Sequence, residues 1–350
     1  MSGGVDSSVA ALLSQKRGDE CIGVTMKLFS NDDVGEERDR PCCSLTDASD
    51  AARVAWSLGM PHYVFDFSER FRGDVIERFV SSYEEGLTPN PCIDCNTYLK
   101  FGALMGRMRE ASFDVLVTGH YAISCFDEDL GRYVLKKAVD DKKDQTYFLY
   151  TATQEELAHM YFPLGELTKP QARELAAEAG FVTAKKKESQ DICFVSKAGY
   201  ANFIENYTGR ASSSGNFVSA EGEVLGKHKG IVHYTIGQRK RLGIALGRPV
   251  FVSDIRPKTN EMVLSDEAEI FSSSCVINEV NLIAFEKVTE PVRAEVKIRY
   301  GAEPAPALVS PISADGTLRI DFDEPQRAIT RGQAAVMYIG DIVLGGGRII

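Results

Sequence analysis

The stretch Ser2-Gly3-Gly4-Val5-Asp6-Ser7-Ser8 runs straight into the apolar helical pattern "DSSVAALLSQK". A glycine-rich turn feeding a helix start is restrictive. The glycines let backbone approach a ligand closely, and the unpaired N–H groups of the first helical turn present positive potential to an anion. Ser2, Ser7 and Ser8 add hydroxyl donors, and Asp6 is placed to hold Mg²⁺ against phosphate. The spacing is not G-x-x-x-x-G-K-[ST], so this is not the Walker loop. Downstream, strand patterns ("CIGVTMKLF", "HYVFDF", "FDVLVTGHYA") alternate with helical ones ("TDASDAARVAWSLG", "SERFRGDVIERFVSSYEEG", "NTYLKFGALMGRMREA"). Strands separated by helices predict a parallel α/β sheet. "TKPQARELAAEAG" reads as a further helix, with Thr168 as N-cap, Pro170 near its start and Gly180 past its end.

Near residue 200 the texture changes. After the helical "AGYANFIENYTG", short strands punctuated by Gly, Pro and Ser take over, among them "EPVRAEVKIRY", "PAPALVS", "TLRIDF" and "QAAVMYIGDIVLGGG". Closely spaced strands of this kind predict a small barrel or sandwich. The expected division is an α/β domain over 1–197, a central domain over 198–270 and a β domain over 271–350.

Charge and cysteine usage narrow the function. The net charge of −10 argues against a general nucleic-acid binder, yet residues 181–260 hold 13 Lys+Arg against 6 Asp+Glu. That local +7 leaves −17 on the remainder, the pattern of a localised polyanion footprint. Arg239, Lys240 and Arg241 stand inside it. No apolar run reaches the ~18 residues a bilayer span needs, and neither part of a secretory leader stands at the start, so a cytoplasmic address and no membrane contact are expected. Eight cysteines in such a chain point to metal or redox chemistry rather than a disulfide scaffold.

Cys92 and Cys95 lie in "TPNPCIDCNTYLKFG", with a helix expected after them, so the helix dipole and Lys100 should acidify the thiol. Cys193 follows three lysines in "KKKESQDICFVS"; these favour its thiolate or bind phosphate. Persulfide chemistry needs two such sulfurs. Three alternatives stay open. Cys92 and Cys95 supply half a zinc site with Cys42 and Cys43; Cys92, Cys95 and Cys193 ligate an iron–sulfur (4Fe-4S) cluster; or the thiols are inert. Inertness is favoured for Cys21, Cys125 and Cys275, which sit in strand-like runs.

With the opening loop and these cysteines together, the sequence resembles the tRNA-specific 2-thiouridylases, members of the ATP pyrophosphatase (PP-loop) superfamily with its SGGxDS loop. The likeness covers essentially the whole chain. Further segments carry it: "CCSLTDASDAARVAWSLGMPHYVFDF", "TGHYA", "DDKKDQTYFLY", "KKKESQDICF", "HKGIVHYTIGQRKRLGIA", "FDEPQRAITRGQAAVMY" and "GGGRII". The resemblance implies an α/β ATP-binding domain, a small central domain and a C-terminal β-barrel. It also implies a strand before the loop. Only Met1 stands there, which sets the expectation of an absent first strand and of higher thermal stability once a β-rich segment is added upstream.

By the same resemblance, Met1, Ser2, Gly3, Gly4, Val5, Asp6 and Ser7 line the ATP phosphates, and Met26 and Gly119 contact the adenosine part. Cys95 matches the nucleophile and Cys193 the persulfide carrier. His120, Lys143, Asp144, Gln145, Arg299, Tyr300 and Gln333 match positions that touch tRNA, and Asn90, Pro91 and Cys92 the stretch beside the target base. Some members carry aspartate where Cys92 stands, leaving Asp94 as an alternative proton carrier. The implied reaction is ATP-dependent 2-thiolation of the wobble uridine, by adenylation of the base and sulfur delivery from a persulfide donor or relay protein, ending in a Cys95–Cys193 disulfide. The implied substrates are the tRNAs for Lys, Glu and Gln, with ATP and Mg²⁺. Amide- or amidine-forming PP-loop ligases and cluster-dependent thiolases are the competing readings.

Overall fold

The computed structural model describes residues 1–30, 45–186 and 192–350. Cys42 and Cys43 lie outside the described residues, and so does the zinc reading that uses them.

Helix α1 (Val5–Arg17) starts at Gly4, whose extended backbone (φ −100°, ψ 171°) makes no side-chain cap. It stops at Gly18, which takes the left-handed conformation (φ 93°) that a side chain disfavours. Asp6 in its first turn and Lys16 and Arg17 in its last suit the helix dipole. Val5, Val9 and Leu12 bury one face against Val54, Ala55 and Leu58 of the α2 region, helix α2 spanning Leu45–Ser57.

Strands β1 (Gly23–Lys27) and β2 (His62–Asp66) pair in parallel, and so do β3 (Leu116–Val117) and β6 (Met160–Tyr161). The expected parallel sheet is thus present as two separate two-stranded pairs. Met1 lies alongside β1: its amino group donates to the Val24 carbonyl, and Thr25 Oγ1 donates to the Met1 carbonyl at 2.7 Å.

Two helical runs carry the next layer. α3 covers 68–84 with a π-helical middle, Arg72–Glu77. α4 covers 91–110 with a π-helical stretch, Cys95–Leu104. Such wider turns occur preferentially at functional sites. α4 begins five residues earlier than "NTYLKFGALMGRMREA" suggested, because Pro91 fits the first helical position and Asn90 Oδ1 accepts the Cys92 N–H at 3.2 Å. Further on, α6 (Lys169–Glu178; α5 is Gln154–Ala158) has the expected start, a reciprocal cap between Thr168 and Gln171. Gly180 stands just beyond its end at φ 69°.

After α7 (Tyr200–Thr208), β7 (Gly215–Val218), β8 (Val224–His228), β9 (Phe251–Arg256) and β10 (Glu261–Ser265) form a four-stranded sheet in the order β8-β7-β10-β9. The C-terminal strands are β11 (Phe271–Leu282), β12 (Val292–Lys297), β13 (Ala305–Val309), β14 (Leu318–Arg327), β15 (Ala334–Ile339) and β16 (Ile342–Ile349). They run β11-β14-β13-β12-β15-β16, and β16 pairs back with β11, so the choice between barrel and sandwich falls to a closed six-stranded barrel. Closure is tight: a Cβ at Gly345 would sit 2.2 Å from the Asn281 carbonyl oxygen. A hairpin of β4 (Ile123–Asp127) and β5 (Arg132–Lys136), unforeseen in the sequence, attaches to β16 through Lys136 and Ile342. It fastens the α/β region to the barrel. Among the described residues, no helix is long and apolar enough to cross a membrane.

Candidate active site

The opening loop forms the anion cradle the sequence suggests. With no side chain capping α1, its first N–H groups are open to a ligand. Ser2 N–H donates to Ser7 Oγ at 3.1 Å, and Ser8 Oγ to the Gly4 carbonyl at 2.8 Å. Two glycines are required by crowding. A Cβ at Gly3, itself at φ 66°, would meet the Asp47 carbonyl oxygen at 2.2 Å. One at Gly119, just past β3, would meet the Asp6 carbonyl carbon at 2.7 Å and the Ser7 nitrogen at 2.8 Å. Gly119 therefore stands against the loop. Met26, on β1, instead packs against the apolar cluster described below.

Asp6 differs from its expected role. Lys169 Nζ donates to both its carboxylate oxygens, at 2.7 and 2.8 Å, and Tyr121 Oη donates to Oδ1 at 3.0 Å. Lys169 is buried. The carboxylate's charge is already balanced by the ammonium, so a cation at Asp6 would compete with Lys169. Lys186 Nζ, from the lysine run before Cys193, donates to the Gly3 carbonyl at 2.8 Å, to Asp47 at 2.5 Å and to Asp50 at 2.8 Å. It braces the loop.

Cys95 lies one turn inside α4, and its environment overturns the expected acidification. Burial pushes the thiol above its ordinary value; Lys100 opposes this and Asp94 adds to it. Cys92, near the helix start, is exposed. Both Cys95 and Cys193 pack against one apolar cluster built around Phe71, Phe79, Leu99, Phe194 and Phe203. Phe194, 1% exposed, anchors the Cys193 segment with ring centroids 5.7 Å from Phe71, 5.2 Å from Phe79 and 5.1 Å from Phe203. Two thiols distant in sequence thus share one wall. None of the six described cysteines is in a disulfide. Among the described residues, no three His, Cys, Asp or Glu side chains are grouped to hold a metal. Burial raises the Cys275 thiol to about 12 and also raises Cys21, in keeping with inert thiols.

The residues matched to tRNA contacts divide in two. Arg299 and Tyr300 are exposed, with the Tyr300 ring 4.4 Å from Phe148 and Lys297 Nζ 5.6 Å from its centroid. Lys143 is half-buried. His120 and Asp144 are buried, 8% and 7% exposed. Lys100 Nζ lies 3.2 Å from His120 Nε2, which fixes that nitrogen as acceptor and leaves Nδ1–H to donate to Thr118 Oγ1 at 2.7 Å. Burial, aided by Lys100, holds the imidazole pKa well below its usual value and keeps it neutral. Asp144 accepts from Thr146 Oγ1 at 2.7 Å and from the Ala138 N–H, Gln145 Oε1 accepts the Tyr121 N–H at 3.0 Å, and Gln333 Nε2 donates to the Thr88 carbonyl at 2.8 Å. These side chains hold the loops that frame the cysteines. Pro91 is buried in the α4 start. Arg239, Lys240 and Arg241 are all exposed.

Known proteins were compared against this geometry. A tRNA methyl transferase HUP domain matches residues 1–197, a tRNA methyl transferase PRC-barrel domain 201–266 and an aminomethyltransferase beta-barrel domain 272–349. The tRNA-specific 2-thiouridylase MnmA of Clostridioides difficile (strain 630) is 50% identical over 349 residues, covering 100% of this chain and 96% of that protein. The MnmA of Clostridium botulinum (strain Alaska E43 / Type E3) matches to the same extent. That of Carboxydothermus hydrogenoformans is 49% identical over 351 residues, with 100% and 96% covered. The chain belongs to the MnmA family of tRNA-specific 2-thiouridylases.

Within this MnmA-type framework, several site residues have no motif to announce them. Lys169 was read only as part of a helix start, Lys186 only as one of a charge run, and Phe194 only as a neighbour of Cys193. Asn96 is 2% exposed and donates through Nδ2 to the Phe148 carbonyl at 2.9 Å, tying the Cys95 helix to the segment beneath Tyr300.

Proposed function

We propose that this protein thiolates the 2-position of the wobble uridine in tRNA, with ATP as the activating substrate. The observation that carries the reading is the packing of Cys95 and Cys193 on one apolar cluster. They lie in the same chain as an uncapped glycine-loop helix start.

The oxygen at C2 of uracil is a poor leaving group. Transfer of AMP to it, with release of pyrophosphate, makes it a good one; the N–H groups of α1 stabilise the phosphates during that step. A persulfide on Cys193 supplies the sulfur. Its terminal sulfur attacks C2 and AMP departs with the oxygen. The Cys95 thiolate then attacks the inner sulfur of Cys193, and the S–S bond electrons pass to the new thiocarbonyl. The products are 2-thiouridine, AMP, pyrophosphate and a Cys95–Cys193 disulfide, which a cellular dithiol reduces before the next turnover. The target base has to leave its stack, which suits an unpaired anticodon-loop nucleotide. The Cys95 thiol, raised by burial, loses its proton in this step, and Lys100 is the positive charge that favours the thiolate. Arg239, Lys240 and Arg241 bind tRNA phosphates, and Tyr300 with Arg299 meets the anticodon arm. The substrates are the tRNAs for Lys, Glu and Gln, and the enzyme works in the cytoplasm.

Incubation with tRNA, ATP, Mg²⁺ and a persulfide donor, followed by nucleoside mass analysis, tests the reading. Conversion of one uridine to thiouridine, abolished by Cys95→Ser and by Cys193→Ser, is expected. An amide or amidine product, or thiolation that survives both substitutions, contradicts it.

A further inference from the structure

The start of α4 is held in place from the barrel. The loop at 86–90 leaves α3, crosses to the barrel and returns into the helix that carries Cys92 and Cys95. Three successive barrel residues grip it. The Thr88 N–H donates to the Arg331 carbonyl at 2.9 Å. Gly332, at φ 89°, lies so close that a Cβ there would meet both Leu87 Cβ and the Thr88 nitrogen at 2.9 Å. Gln333 Nε2 donates to the Thr88 carbonyl at 2.8 Å and reaches the Pro89 carbonyl at 3.5 Å. The next residue, Asn90, caps α4.

The grip extends to the central domain. Arg331 donates to Asp254 Oδ1 at 2.9 Å and to the Ile255 carbonyl at 3.2 Å. Gly86 packs on the same region, since a Cβ there would meet Pro257 at 2.9 Å and Ile255 at 3.0 Å. A second tether reaches α4 from the same strand: Tyr147 Oη donates to the Ala334 carbonyl at 3.0 Å, and the adjacent Phe148 carbonyl accepts from Asn96. The chain segments of all three regions thus meet at one junction directly before the cysteine-bearing turn.

We propose that Gln333 is a positioning residue: it acts through Thr88 and Pro89 to set the Asn90–Cys95 turn, and passes barrel position to the thiols. Gln333 is the side chain that holds both carbonyls directly before the Asn90 cap, and displacement of a reacting group by about 1 Å costs on the order of a hundredfold in rate. The kinetic part of this proposal rests on the thiolation reading above; the structural part does not.

The test compares wild type with Gln333→Met, which keeps the volume and removes the donor, and with Gln333→Lys, which restores a donor. Three readouts are taken: hydrogen exchange of the 88–95 amides, iodoacetamide modification of Cys95, and steady-state thiolation with measured tRNA affinity. In Gln333→Met the amides should lose protection, Cys95 should react severalfold faster, and kcat should fall about tenfold while tRNA affinity stays within about twofold. Gln333→Lys should return exchange, thiol reactivity and kcat toward wild type. Loss of tRNA affinity with exchange, thiol reactivity and kcat unchanged would overturn the proposal and make Gln333 a direct contact. No change in exchange or thiol reactivity would also overturn it. If wild type itself forms no thiouridine, the function reading fails while the exchange and alkylation arms still decide the positioning role.

Discussion

Replacing Lys169 by methionine probes the cation that pairs with the opening loop's carboxylate. The amine makes two short contacts to Asp6, and the Lys169 side chain is 9% exposed against 32% for Asp6. At an effective dielectric near 20, charges about 3 Å apart attract by roughly 5 kcal/mol before desolvation is subtracted. Removing one member of a buried pair typically costs 3–5 kcal/mol, chiefly because the partner is left uncompensated. Asp6 is one-third exposed, so water recovers part of this, and Lys169→Met should cost about 2–4 kcal/mol. The stranded carboxylate also faces the helix start that receives phosphate. ATP affinity should therefore drop at least about tenfold by like-charge repulsion. Asp6→Asn in the same chain removes that charge. The double variant should be less destabilised than the sum of the single changes by about 1.5 kcal/mol or more, with ATP binding partly recovered. Urea unfolding and equilibrium ATP binding on the four proteins of the cycle measure both. A coupling under about 0.5 kcal/mol, or ATP affinity equal in Lys169→Met and wild type, refutes the argument that Lys169 holds Asp6 in check.

Other outcomes follow from the same geometry. Gly119→Ala pushes a methyl into the Asp6–Ser7 backbone, so it should cost about 1–3 kcal/mol and weaken ATP binding; retained affinity and stability would show that the loop yields freely. The Cys95 thiol is raised by burial, so its iodoacetamide reaction should have a midpoint above the ordinary thiol value of about 8.5, and Lys100→Met should move it higher still; a midpoint below that value would restore the helix-dipole explanation. Burial lifts the Asp94 carboxyl to about 6 against the opposing charges of Arg78 and Arg348. A raised carboxyl favours the folded state at low pH, and that advantage is lost as pH rises from about 4 through 6. Asp94→Asn should remove this slope and gain up to about 2–3 kcal/mol at pH 7; an unchanged pH profile of unfolding would count against it.

Much of the architecture was legible because the patterns that specify it are local. The α6 start is written in Thr168 and Pro170, and its stop in Gly180. Strand segments such as "PAPALVS" stood out by their short, close spacing and Gly/Pro turns. The closure of the barrel was not legible, since it depends on β16 meeting β11 across some 65 residues. The β4–β5 hairpin was hidden because its exposed face carries Phe126 and Leu130, blurring the alternation. At the site, motif spacing brought out Cys95, Cys193 and the glycine loop. It gave no sign of the environment that sets their chemistry. The pKa direction of Cys95 came out reversed because α4 starts earlier than its apolar pattern and because Phe-rich packing, unseen in one dimension, outweighs the dipole. Lys169 and Gln333 act on partners 163 and 245 residues away, and no local pattern encodes such reach.

The central claim is that Cys95 and Cys193 exchange one sulfur. It is tested most directly by a single turnover without reductant, using enzyme preloaded as the Cys193 persulfide, with tRNA and ATP. Peptide mass analysis under non-reducing conditions then follows the thiols. A Cys95–Cys193 disulfide accumulating one for one with thiouridine is the expected result. Thiouridine formed while both thiols stay reduced, or a disulfide joining Cys92 to Cys193 instead, would contradict the account.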